Sequence, residues 1–227
     1  MTHSVIGMIY RSLDYLEFML RGMKPDLIVA NDATPQVLDA LQASGVKYLD
    51  YRDPKPNDYY LNRVYRAWNA GAKAAESDVI VFCNSDMHGA PNWLPNLLKH
   101  LTPDTIPCSR LVESGKMPSG QHALVQDFGR SAKTFEQHHF ERYAKIVSKR
   151  DVVGGGLFMP CAFNRREFLD AGGYPEGNIC KGGVGAHETK VLRSGDEFFF
   201  RETLKEKRHV TVMNSIVYHI QQAEMDS

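Results

Sequence analysis

Through the first hundred residues, short apolar runs rich in β-branched side chains alternate with segments whose apolar positions recur at helical spacing. This is the pattern of strand-helix-strand units around a mostly parallel sheet. Strands are predicted at 4–10, 26–30, 46–51 and 78–83, and helices at 13–23, 35–44 and 60–75. Pro35 suits a helix start, because its fixed φ is already helical and the N–H it lacks would have no partner there. The unbroken run Val79-Ile80-Val81-Phe82-Cys83 reads as a strand buried on both faces. It ends at Asn84-Ser85-Asp86, and in open α/β sheets ligands bind beyond the carboxyl ends of the strands.

After residue 101 the pattern loosens. A stretch rich in Pro, Gly and Ser over 103–120 is expected to be irregular, with a charged helix at 135–148 and a glycine run and strand over 154–163. A short helix at 165–171 is stopped by Gly172-Gly173, and a glycine-rich, mobile stretch is expected at 181–185. A helix at 196–207 and strands at 210–213 and 216–219 complete the pattern, with a frayed tail at 222–227. No linker, repeat or low-complexity segment interrupts the chain, so one domain over 1–227 is expected, divided into halves 1–101 and 102–227.

The composition agrees: 227 residues, 43% of them hydrophobic, can bury one sizeable core. Lys plus Arg and Asp plus Glu number 27 each, so no basic surface points to a nucleic acid. No apolar run approaches the roughly 18 to 20 residues that span a bilayer. Met1-Thr2-His3 leads into a strand and not a charged leader, so a cytoplasmic chain is expected. Cys83, Cys108, Cys161 and Cys180 form no Cys-x-x-Cys pair and are expected to be reduced and buried, in preference to a zinc site or a disulfide framework.

Several residues have the right chemistry for a site. Asp86 follows a buried strand, where a carboxylate suits a hard divalent cation, although Asn and Asp also make plain turns there. Asp196 and Glu197 open a helix, a position that acidic residues also favour for the helix dipole. His219 ends the last strand, where a histidine is as ready to be a satisfied polar residue as a ligand. His138-His139 lie among Glu136 and Glu141 on a solvated face, and His187-Glu188 lacks the second histidine of a metalloprotease motif.

The order of motifs carries more than any of them singly. VIGMIYRS ends the first strand and Ala30-Asn31-Asp32-Ala33-Thr34 the second. RAWNAGAKAAESDVIVFCNSDM carries a helix into the fourth, and Ala90-Pro91-Asn92-Trp93-Leu94 follows. GGGLFMPCAFNRREFLDAGGYPEG, then Ser194-Gly195-Asp196-Glu197-Phe198-Phe199-Phe200-Arg201, then Val217-Tyr218-His219 complete the series. Together these resemble glycosyltransferase family 2 and its GT-A relatives over nearly the whole chain.

The resemblance implies an α/β GT-A fold: one Rossmann-like, mostly parallel sheet with flanking helices and a smaller C-terminal acceptor-side part. It implies that Tyr10, Arg11, Asp32, Arg66, Asn84, Ser85 and Asp86 meet a nucleotide-sugar donor, with Asp32 at the base, most often uracil. Asn69 and Gly71 match the helix motif that accompanies Arg66, and Trp93 is chiefly a packing residue. Asp86 and His219 would hold Mn2+ or Mg2+, and Arg66 would assist at the diphosphate. Glu197, with Asp196 second, would be the catalytic base, and Gly155, Gly156 and Arg201 would lie on the acceptor side, the glycines letting backbone approach a sugar. The implied activity is inverting sugar transfer from a UDP-sugar to an acceptor hydroxyl, by default a saccharide's; a modified DNA base, a protein side chain or a metabolite stays open. The metal motif reads Asn84-Ser85-Asp86 where the family has two aspartates, and the acids at 196–197 are reversed. Those departures motivate the alternative of a non-catalytic sugar-nucleotide or glycan-binding module. A nucleotidyltransferase of related fold would open with a glycine-rich basic phosphate loop, whereas residues 4–15 contain only Gly7.

Overall fold

The computed structural model describes residues 1–115, 117–177, 179–180, 183–184 and 193–221. Most of the 181–185 stretch expected to be mobile, the His187-Glu188 pair and the 222–227 tail lie outside the described residues.

β1 (His3–Ile9), β2 (Leu27–Asn31), β3 (Lys47–Tyr51) and β4 (Val79–Asn84) lie parallel in the order β3-β2-β1-β4. Val5, Ile28 and Val81 feed the core on one face, while Ile6, Val29, Ile80 and Phe82 feed the other. Burial on both faces is why β4 has no polar alternation. α1 (Leu13–Gly22) is capped by Ser12, whose hydroxyl accepts from the Tyr15 N–H, and α2 (Pro35–Ser44) by Thr34 ahead of Pro35. α3 (Tyr60–Ala74) lays Tyr65 and Trp68 on the second core.

The loosely patterned half supplies a second sheet. β5 (Met87–Gly89), α4 (Trp93–Leu98), β6 (Thr105–Glu113), β7 (Leu124–Val125), α5 (Gln137–Val147) and β8 (Val152–Gly154) follow one another. β9 (Ala162–Asn164) then returns antiparallel to β4, and α6 (Arg165–Asp170) follows it. β10 (Ile179–Cys180) and β11 (Gly183–Val184) form a hairpin, and α7 (Gly195–Phe198) leads to β12 (Arg208–His219). The second sheet runs β5-β12-β6-β7, with β8 also on β12. Its strand ends come next to the Asn84-Ser85-Asp86 turn, because β5 begins at the residue after Asp86. No helix among the described residues is long and apolar enough to cross a membrane.

The largest departures from the sequence reading are in three elements. The stretch 103–120, expected to be irregular, contains the nine-residue β6, paired parallel to β12 along its length. Its polar residues hid it: Ser109 is buried only because its hydroxyl meets that of Ser215 at 2.8 Å, and Glu113 because β12 supplies a histidine. The strands expected at 210–213 and 216–219 are one strand, bulged between Val212 and Ile216. The helix expected at 196–207 is one α-turn, α7, that widens into a π-helix at Phe199–Thr203, burying Phe199 and Phe200 side by side.

Candidate active site

The end of β4 and the end of β12 meet through β5, which pairs antiparallel with β12 so that Met87 lies opposite His219. This sets His219 Nε2 3.6 Å from Asp86 Oδ2. On its other side the ring places Nδ1 2.9 Å from Glu113 Oε1, and the strand register puts Glu113 directly across from His219. Glu113 is fully buried and accepts further bonds from the Ser119 N–H at 2.6 Å, the Ser119 hydroxyl at 2.5 Å and the Gln221 amide at 3.2 Å. Burial opposes charge on His219, but the two carboxylates outweigh it and push the imidazole up to about 10. Burial likewise opposes charge on Glu113, yet bonds from His219 and Ser119 hold it below the usual carboxylate range.

Two oxygens at this corner stand out. Asn84 Oδ1 and Asp86 Oδ1 are buried without a hydrogen-bond partner. A buried acceptor without a donor is costly, and hard divalent cations take such oxygens as ligands. Asn84, Asp86 and His219 thus fit a divalent cation, with Asn84 offering a neutral carbonyl where a second carboxylate was the pattern. Glu113 would then orient the ligand histidine by accepting from its remote nitrogen. Sequence reasoning missed Glu113, since only strand pairing brings it to His219.

A second group gathers at the carboxyl ends of β1 and β2. Arg63 Nη2 lies 2.8 Å from Asp32 Oδ2, while the other Asp32 oxygen accepts from the Asp53 N–H at 3.1 Å. The guanidinium of Arg11 lies 4.4 Å from the Tyr10 ring centroid, and that of Arg63 5.5 Å from it. Tyr10, Arg11 and Asp32 are therefore brought together, with Arg63 as a member the sequence reading passed over. The signal was present in Arg63 and Arg66, one turn apart on α3.

Arg66 itself requires a correction. Its side chain is 4% exposed and holds Asp53 through Nε and Nη2 at 3.0 to 3.2 Å. Its Nη1 meets Asp58 at 2.8 Å, and the Glu176 and Lys55 carbonyls accept the remaining donors. The guanidinium expected to assist at a diphosphate instead anchors the loop after β3. Asn69 is likewise internal, bonded both ways to the Tyr174 backbone at 2.8 and 2.9 Å. A side chain at Gly173 would strike Asn69, which ties the α3 motif to the Gly-Gly-Tyr turn.

Asp196 and Glu197 face different partners. Asp196 Oδ1 accepts from the Tyr65 hydroxyl at 3.0 Å and from the Glu197 N–H at 2.8 Å. Glu197, about one third exposed, pairs with Arg201 at 3.2 Å one turn on. In the glycine run, Gly156 has φ +137°, and a Cβ there would collide with Thr211 and Cys108. Its glycine is required by this internal packing, whatever approaches from outside. Trp93 is buried against Gly89, as a packing residue would be.

Residues 24–171 match the family described as Glycosyl transferase family 2. No curated protein matches the sequence. Among solved structures, S. aureus TarS 1–349 aligns at TM-score 0.55 and 12% identity, covering 98% of this chain and 61% of that one. GalNAc-T7 with UDP, GalNAc and Mn2+ aligns at TM-score 0.57 and 13% identity, covering 96% of this chain and 43% of that one. TarS 1–349 in complex with UDP-GlcNAc aligns at TM-score 0.52 and 12% identity, covering 96% and 58%. The chain thus spans less than two thirds of each of these proteins. At such identities the likeness shows the fold, and the match over residues 24–171 shows the rest: the chain belongs to glycosyl transferase family 2 and has its GT-A fold.

Proposed function

We propose that the protein transfers a sugar from a UDP-sugar to an acceptor hydroxyl, with inversion, using Mn2+ or Mg2+. The observation that carries this reading is the corner where His219 stands 3.6 Å from Asp86 beside the unpartnered buried oxygens of Asn84 and Asp86. Structures of similar fold have been solved with UDP and Mn2+ or with UDP-GlcNAc, which supports the choice of donor and ion.

Asp86, His219 and the Asn84 carbonyl would hold the cation, with Ser85 beside them. Bound there, it would supply positive charge to the departing diphosphate. Tyr10, Arg11 and Arg63 offer aromatic and cationic surface for the uridine, and Asp32, held by Arg63, would meet the base. Glu197 accepts the acceptor's proton as the hydroxyl oxygen attacks C1 opposite the diphosphate. Arg201 pairs with that carboxylate at 3.2 Å and would lie on the acceptor side with Gly155 and Gly156. Asp196, committed to Tyr65 and the Glu197 amide, positions the turn and is the second choice as base. The acceptor we infer is a saccharide.

Thermal-shift screening of nucleotide sugars with and without Mn2+ tests the donor and ion together: a UDP-sugar should raise the melting temperature only when the cation is present. No shift with any donor would overturn the reading. The product should have the anomeric configuration opposite to the donor's, and retention would exclude Glu197 as a base in a single displacement.

A further inference from the structure

Away from the Asp86 corner, a second set of metal-ligating side chains converges where the two sheets join. Cys108 on β6, Cys161 immediately before β9 and His209 on β12 place one ligand atom each within 4.8 Å of one another. The backbone builds this meeting. Cys108 forms an antiparallel bridge to Cys161, supported by the Ser109 N–H donating to the Pro160 carbonyl at 2.9 Å. Cys108 also lies across from Thr211, and His209, two residues earlier, shares that face of β12.

The chemistry of the donors is specific. Both thiols are buried, at 0% and 1% exposure. His209 is packed between Phe158 and Phe200, with ring centroids 5.4 and 4.5 Å away. Its Nε2 meets the Leu157 carbonyl at 2.9 Å, which fixes that nitrogen as the N–H and leaves Nδ1 with the lone pair. This is the arrangement of a ligand imidazole, oriented by a carbonyl at its remote nitrogen.

We propose that Cys108, Cys161 and His209 form a zinc site that clamps the first sheet to the second. Tetrahedral Zn2+ with Zn–S of about 2.3 Å sets its sulfurs roughly 3.8 Å apart, so donors within 4.8 Å need to close by about 1 Å or less. Two thiolates neutralise the ion, which removes most of the cost of burying charge. The Thr211 hydroxyl, 3.5 Å from Cys108 Sγ, borders the fourth position. It also donates to the Gly155 carbonyl at 2.6 Å, so the site underlies the glycine run.

Cobalt substitution tests this independently of sugar transfer. In the Asp86→Ala protein, which lacks the other cation corner, Co2+ should bind with a near-ultraviolet sulfur-to-cobalt charge-transfer band and tetrahedral visible bands. Zn2+ should displace it, read as loss of that band. Cys108→Ser and Cys161→Ser should each abolish the band, and His209→Gln should weaken Co2+ binding by more than tenfold. A folded Asp86→Ala protein with no charge-transfer band, or a Cys108–Cys161 disulfide in non-reducing digests, would overturn the proposal. The band of the Asp86→Ala protein decides even if a serine variant fails to fold.

Discussion

At the scale of single residues, the buried Glu113 is the side chain with the largest unread consequence. It holds His219 in one tautomer and orientation, so Glu113→Gln should weaken Mn2+ binding roughly 10- to 100-fold while leaving the fold intact, as titration calorimetry will show. The same geometry makes cation binding proton-linked, because a ligand imidazole must be neutral. With His219 raised to about 10, Mn2+ affinity should climb close to tenfold per pH unit between about pH 6 and 8. Without metal the sign reverses: the folded imidazole holds its proton more tightly than the unfolded one. The pairing therefore stabilises the fold fully below about pH 6.5 and is lost as pH rises through about 10, which urea melts at several pH values will register. Glu197→Gln makes a separate prediction. Turnover should fall by about 10²- to 10⁴-fold with donor affinity nearly unchanged, since a proton acceptor is removed and little binding surface is. Equal losses in both would count against Glu197 as the base.

At the scale of elements, α3 shows how one helix serves two sites at once. Arg63 turns to Asp32 and the Tyr10 ring, and Arg66, one turn later, is enclosed by Asp53 and Asp58. Arg66→Met strands a fully buried Asp53 carboxylate and should cost about 3 to 5 kcal/mol in denaturant melts, whereas Arg66→Met with Asp53→Leu should recover much of it. An unchanged single variant would show that the pair is solvated. The helix was legible from its apolar spacing, but which arginine reaches Asp32 and the Tyr10 ring was not, because both suit the same motif. The same division holds elsewhere. β1, β2 and β4 and α1 to α3 were readable because a two-faced core demands apolar strands and amphipathic helices. β6 was not, since Ser109 and Glu113 are buried through partners more than 100 residues away, which no local pattern encodes. Asp86 and His219 were named from their order along the chain, and their meeting depends on β5, a three-residue strand too short to read.

At the scale of the whole molecule, β5 also joins the first half of the chain to the second through His88. Its ring packs on Phe18 of α1 at 5.2 Å and on Phe135 before α5 at 4.8 Å, and a side chain at Gly22 would collide with it. The residue is 1% exposed, with Nδ1 left unpartnered. Burial, and then the charge of Arg21, lower its pKa to about 4, with Glu141 acting weakly in the opposite sense. Folding therefore requires the neutral ring. The stability this gives is fully present above about pH 6.5, where the unfolded histidine is also neutral, and is lost as pH falls through about 4. A difference of two to three pH units corresponds to about 3 kcal/mol, a large share of the roughly 5 to 15 kcal/mol that holds a typical domain. Urea melts between pH 7 and 4 should show that loss, and His88→Leu, which keeps an apolar side chain among the same rings, should flatten the acid limb of the curve. Because the His88 ring joins the second sheet to α1, the lost cooperativity should be global: intrinsic fluorescence and circular dichroism should fall together. An acid limb unchanged in His88→Leu would place the sensitivity in the carboxylates instead.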